Sequence, residues 1–440
     1  MPESARSIAR EIFSAAVKSV QPENLLPATV RLEEDLLHIE ETIYVLRPGQ
    51  KVHVFGSGKA AVGMAKALSD ILGDRLAGGC LISNTDASLA GIKVIHGSHP
   101  VPDERSVKGA AELKKRMAAL KADDFFVYLL SGGSSALIEK PSAPLTLDAL
   151  QQVSLQLLHG NVPIQQINIV RKHLSDIKGG RLAQCTRATG AVLVISDVVG
   201  DDLSTIGSGP LYKDASSYQD ALDVLAGAGL TREVPSDALK VLEEGVRGVR
   251  QDTPVQPVDN IRHFCIGSNR RALVASAEKA QELGYAAHIM TSMLEGEADS
   301  AAAFVYAIGR EIKEFHRPFT PPTILLFGGE TTVKVTGSGR GGRNQQLALA
   351  ALQRIGEDSS LTLFSAGTDG IDGNSHAAGA IADRDGFLAA AAKSLDAGRY
   401  LAENDATTFF EEIDALVVTG PTGTNVMDIM VLIVQPREEL

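Results

Sequence analysis

The sequence predicts an α/β protein built on a largely parallel sheet with helices on both faces. Two observations carry that expectation: wholly apolar runs such as residues 125–130 and 191–195, and the glycine- or hydroxyl-rich loops and helical patterns that alternate with such runs. Scale is the third: 440 residues, 44% hydrophobic and 22% charged, suit about two globular domains.

In chain order, residues 1–26 carry Ile8, Ile12, Phe13, Ala16 and Val17 at helical spacing among charged residues, an amphipathic surface helix and not a signal peptide. Residues 51–55 read as a strand, Gly56, Ser57, Gly58 and Lys59 as its loop, and 60–72 as a helix. Further strands are expected at 80–82, 93–95, 125–130 and 191–195. Residues 211–260 are richer in acidic and polar residues and proline, with helices near 221–228 and 238–246, and 253–257 reads as an interdomain linker. The pattern then resumes with a strand at 263–267, a helix at 271–283 and Gly284 as its C-cap. Strands at 323–327, 332–335, 361–365 and 429–434 and a helix at 344–352 complete the expected elements.

A net charge of −12 without lysine runs argues against a nucleic-acid partner. No apolar run approaches the roughly 18 residues of a membrane span, so a soluble, cytoplasmic protein is expected. Cys80, Cys185 and Cys265 are widely spaced and read as reduced thiols, without a zinc or disulfide pattern.

Five loops carry chemistry. Gly56, Ser57 and Gly58 let backbone amides approach an anion ahead of a helix N-terminus, and Lys59 adds a full charge. The loop resembles a dinucleotide fingerprint, but Ser83 and Asn84 stand where the ribose-binding acid belongs; a tight turn is the plainer reading. Ser131, Gly132, Gly133, Ser134 and Ser135 can form an amide nest for phosphate or carboxylate, or a simple turn before a helix. Asp197, just beyond a strand, suits Mg²⁺ or a structural cap, and Asp201 or Asp202 an N-cap. Residues 337–343 hold four glycines with Arg340 and Arg343, a mobile cationic loop leading into Asn344; it suits phosphate or carboxylate recognition. Asp369 follows another strand and suits a general base or a metal contact, while Asp372 reads as a turn residue. His96 and His99 make only a weak metal pattern, and the basic groups Arg171, Lys172, Lys178 and Arg181 suit anion steering or solvent equally.

The segments VFGSGKAA, HPVPDE, LLSGGSSAL, VRKHLSDIKGGRLA, VISDVVGDDLSTIGSGP, LFGGETTV, GSGRGGRNQQ, AGTDGIDG and TGPTGTNVMD run in order from residue 54 to 428. Together they resemble the type-II glycerate kinases, whose C-terminal region is the MOFRL domain. The resemblance implies a Rossmann-like domain over 1–250 with a largely parallel sheet, a mixed-sheet MOFRL-type domain over 258–440, and an active-site cleft between them. It also implies Mg²⁺-assisted phosphoryl transfer from ATP to D-glycerate, typically giving 2-phosphoglycerate. Carried onto this chain, it assigns Lys59 to phosphate or substrate anion, Asp197 to the metal, Arg343 to charge stabilisation and Asp369 to metal or base. A homodimer is left open. Some proteins of this kind are labelled hydroxypyruvate reductases, so an NAD(P)H-dependent reductase is the alternative, ahead of a non-catalytic binding protein.

Overall fold

The structure is a computed structural model and describes residues 4–437; Met1, Pro2 and Glu3, where the expected first helix begins, lie outside the described residues. The chain forms two compact units, one of residues 25–196 and 201–266, the other of residues 4–24, 197–200 and 267–437.

In the first unit a small antiparallel sheet, β1 (Val30–Glu33), β2 (Leu36–Ile39) and β3 (Thr42–Val45), precedes the main one. The main sheet comprises β4 (Val52–Ser57), β5 (Leu76–Ser83), β6 (Ile92–His96), β7 (Phe125–Leu130), β8 (Thr189–Ile195) and β9 (Ile261–Gly267), in the order β6-β5-β4-β7-β8-β9. The strands from β6 across to β8 are parallel. All six residues of β7 are buried, which is why its run lacks alternation. The chain steps outward from β4 through β5 to β6, then returns to place β7 on the other side of β4. That reversal is a topological switch point between β4 and β7, where α/β sheets leave a crevice at the strand carboxyl ends.

The second unit holds β10 (Ala286–Leu294), β11 (Thr323–Gly329), β12 (Leu361–Gly367), β13 (Gly379–Ala382), β14 (Leu416–Val417) and β15 (Asp428–Val434). Their order is β10-β11-β15-β12-β13-β14, with only β10 and β11 parallel, a mixed sheet as expected. Side chains alternate across it. Leu325, Phe327, Leu363 and Met430 join one core with the helices Ala298–Phe315 and Arg343–Ile355. Phe364, out of phase with them, meets Phe13 of the helix Ala5–Val20 with ring centroids 5.1 Å apart and the planes tilted by 45°.

Three expectations change. The first helix is amphipathic as expected, with all five named apolar residues buried, but it groups with the second unit and not the first. The stretch 253–257 is not a linker. Thr253 is 4% exposed and its hydroxyl donates to the Ser216 carbonyl, Pro254 accepts from the Asp214 amide, and β9 then extends the first unit's sheet. Residues 332–335 form no strand beyond one bridge from Thr332 to Glu297; the Thr332 amide bonds to Gly296, and the Thr336 and Gly337 amides bond to the Asn404 side chain.

Candidate functional site

In the first unit, the two glycine loops leave β4 and β7 at the switch point and hold each other. The Lys59 amide donates to the Gly132 carbonyl at 2.9 Å, and the Ala60 amide to Ser131 Oγ at 3.0 Å. Gly58 has φ +131°, and a Cβ there would lie 2.1 Å from Ser131 Oγ, so this approach requires glycine. Ser57 and Ser134 are fully buried; their hydroxyls meet at 2.5 Å, and Ser57 also bonds to Tyr128 at 2.7 Å. These hydroxyls fasten the loops to one another. Lys59 remains exposed, its side chain against Gly133, where a Cβ would come within 3.1 Å of Lys59 Cγ and 3.0 Å of His99 Cδ2. Burial and the neighbouring Lys59 charge hold the His99 imidazole below its ordinary pKa. Ser135 Oγ bonds to Ser208 Oγ at 2.9 Å.

In the second unit the antiparallel β15 starts where β11 and β12 end, with Asp428 opposite both Gly329 and Gly367. Asp428 is fully buried. Arg343, the first residue of its helix, grips it through Nε at 2.5 Å and Nη2 at 3.0 Å, and reaches Glu330 through Nη1 at 2.7 Å. Burial works against the Arg343 charge but is outweighed, chiefly by Asp428, so the guanidinium is held above its ordinary value. Asn344, 1% exposed, donates from Nδ2 to Asp428 at 3.0 Å and to Asp372 at 3.3 Å, and accepts from Ser365 Oγ at 2.6 Å. A Cβ at Gly367 would lie 3.2 Å from Asp369 Oδ1 and 3.4 Å from Asp428 Oδ1, so the two carboxylates flank that strand end.

The loop before Arg343, expected to be mobile, is tied down. Arg340 pairs with Glu411 at 2.6 Å and the Gly341 amide donates to Asn374 Oδ1 at 2.7 Å. Asp372 is not a simple turn residue either. It is 2% exposed and accepts from the amides of Asn344 and Gln345 at the N-terminus of that helix, at 3.1 and 2.9 Å. Burial, against those amides, raises its carboxyl to about 6. The folded chain therefore binds this proton more tightly than the unfolded one, and the contribution of Asp372 to stability falls as pH rises from about 4 through 6. The stability of wild type minus that of Asp372→Asn should drop by on the order of 2–3 kcal/mol over that window, read from urea midpoints. A gap independent of pH contradicts a buried titrating carboxylate.

Burial raises the Glu330 pKa, with Arg343 opposing and Asp428, Asp197 and Asp369 adding to the rise. This crowding of hard oxygen donors is charge that a divalent cation would relieve. Among the described residues, no group of three or more carboxylate, histidine or cysteine side chains is set to hold a metal. Carboxylates crowded in this way fit Mg²⁺ bound through one or two of them, with water and phosphate completing its shell. The sequence reading singles out neither Glu330 nor Asp428, takes Asp372 for a turn residue and gives His99 only a weak metal pattern. Asp202 accepts from the Ser204 amide at 2.9 Å within a turn, and the short helix Ile206–Ser208 that follows has Thr205 at its N-cap, so Asp202 is an Asx-turn residue and not the expected helix cap. Among the described residues, no helix is long and apolar enough to cross a membrane.

Two family models match the chain: "Domain of unknown function (DUF4147)" over residues 8–243 and "MOFRL family" over residues 323–428. The glycerate 2-kinase of Pyrococcus horikoshii is 38% identical over 98% of both chains. A putative hydroxypyruvate reductase of Agrobacterium vitis is 35% identical over 98% of this chain and 95% of its own. The crystal structure of glycerate kinase from Thermotoga maritima superposes with a TM-score of 0.88 at 35% identity, covering 98% of this chain and all of that one.

Proposed function

The chain belongs to the glycerate 2-kinase family, and from that premise we propose that it transfers the γ-phosphoryl group of ATP to D-glycerate, giving 2-phosphoglycerate and ADP. The observation that carries the chemistry is the exposed Lys59 on a glycine loop at the switch point, set against the second loop at Gly133.

Phosphoryl transfer asks for positioning and charge neutralisation. Lys59 and the amides of Gly132, Gly133, Ser134 and Ser135 hold phosphate or the substrate anion, while the Gly58, Lys59 and Ala60 amides are taken up by Ile82, Gly132 and Ser131, so the first loop contributes its lysine and not a nest. Asp369 accepts the proton of the attacking glycerate hydroxyl as its oxygen bonds to the γ-phosphorus and the bond to the bridging oxygen of ADP breaks. Arg343 stabilises charge on the transferring group from a position fixed by Asp428, with Asn344 bracing that carboxylate. Mg²⁺ bound by Asp197 would neutralise phosphate charge. A cytoplasmic protein, with a homodimer as one form of assembly, completes the reading.

The reductase label of one relative finds little to stand on. At the end of β5, where an acid would bind the ribose of a dinucleotide, Ser83 stands fully buried. Assays of ADP formation with D-glycerate and of NADH oxidation with hydroxypyruvate separate the readings. ADP formation without NADH oxidation is expected; the reverse would overturn the proposal.

A further inference from the structure

The first unit holds a cavity of about 490 Å³ that shares Gly133 and Ser135 with the second glycine loop. One wall comes from the helix Leu147–His159, which carries two stripes. Leu150, Val153 and Leu157 pack into the unit's core. Gln151, Ser154, Leu155 and Leu158, spaced three and four apart on another face, line the cavity. Leu155 and Leu158 keep 54% and 50% of their surface exposed, apolar area that water covers unless a ligand does.

The charge in the cavity is unbalanced. Lys178 and Glu139 also line it, but they pair with each other, fully buried, and Lys178 donates as well to the Ser135 carbonyl. Arg171 lines it too. Its Nε donates to Ser154 Oγ at 3.3 Å, and among the described residues no carboxylate forms an ion pair with it. Burial disfavours the Arg171 charge and the Glu139 carboxylate offsets this only in part, a remaining cost that a bound anion or π face would offset. The ligand therefore has an apolar body, hydrogen-bonding edges and negative charge, and sits beside the loop that carries Lys59.

We propose that this cavity is the nucleotide site, with the base of ATP on the Leu155–Leu158 wall and the polyphosphate running past Gly133 toward Lys59. The choice of a nucleotide rests on the kinase reading above. D-Glycerate alone does not fit: a three-carbon polar acid has no apolar surface to cover two leucines, and the volume is that of a site for a larger molecule.

The test is calorimetric binding of ATP and of inorganic tripolyphosphate to wild type and to the double variant Leu155→Ser/Leu158→Ser. Both leucines are half-exposed, so their removal leaves the core intact. Wild type should bind ATP at least about tenfold more tightly than tripolyphosphate. The variant should lose most of that difference, with tripolyphosphate affinity and the KM for D-glycerate nearly unchanged. Equal losses for both ligands, unchanged ATP affinity, or a raised glycerate KM in their place would overturn the assignment. Calorimetry reads binding without turnover. Protein that binds ATP through this wall yet forms no ADP therefore contradicts the kinase reading while supporting the site.

Discussion

Replacing Lys59 by alanine should lower kinase turnover by about 10²–10³-fold and leave stability within about 0.5 kcal/mol of wild type. The two halves of that expectation have different sources. Lys59 is exposed, and among the described residues its ammonium makes no hydrogen bond or ion pair, so the folded protein loses little without it. The glycine loop is held by backbone atoms: the Lys59 amide bonds to Gly132 and the Ala60 amide to Ser131, contacts that alanine keeps. What disappears is a full positive charge at the end of a sheet, next to the nest, where phosphate charge must be neutralised as it moves. Initial rates with saturating ATP and D-glycerate, beside a thermal melt, make the check. A variant within about twofold of wild-type turnover would remove Lys59 from the chemistry.

Arg343→Ala should cost both activity and stability, and so behave differently from Lys59→Ala. The guanidinium is the two-pronged partner of Asp428, whose carboxylate is fully buried. Removing it leaves a buried carboxylate with Asn344 among its remaining contacts, a loss of about 3–5 kcal/mol by analogy with other broken buried pairs. Turnover should fall by about 10³-fold or more if the same group also meets the transferring phosphoryl. A second substitution separates the effects. Asp428→Asn in the Arg343→Ala background should recover much of the lost stability, because the stranded charge is gone, without recovering turnover. Wild-type denaturant midpoints for Arg343→Ala would show that the pair is not the anchor described here.

The two glycine loops were legible in the sequence because their signals are local. A buried parallel strand such as β7 shows as a continuous apolar run, and the small residues after it announce a turn where backbone approaches backbone. Gly58, Lys59 and the serines from 131 to 135 could be picked out on that basis. What the hydroxyls do was not legible: Ser57 and Ser134 meet 77 residues apart in sequence, and only the fold shows that they bond to each other. Asp428 was hidden for the same reason. Its importance comes from an antiparallel strand inserted between β11 and β12, which brings it to Arg343 across 85 residues. Asp372 looked like a turn aspartate because glycines flank it, whereas its carboxylate caps the helix that begins at Arg343. The proline-bearing stretch 253–257 misled through composition. Thr253 and Pro254 are bonded to residues of the same unit and the whole stretch lies within it, a fact composition does not encode.

Phosphorus NMR of the products formed from ATP and D-glycerate addresses the central claim most directly. The account predicts ADP together with a phosphomonoester resonance whose proton coupling assigns it to the 2-hydroxyl of glycerate. A resonance assigned to the 3-hydroxyl alone would contradict the 2-phosphoglycerate assignment, and ATP left intact beside D-glycerate would contradict the kinase itself.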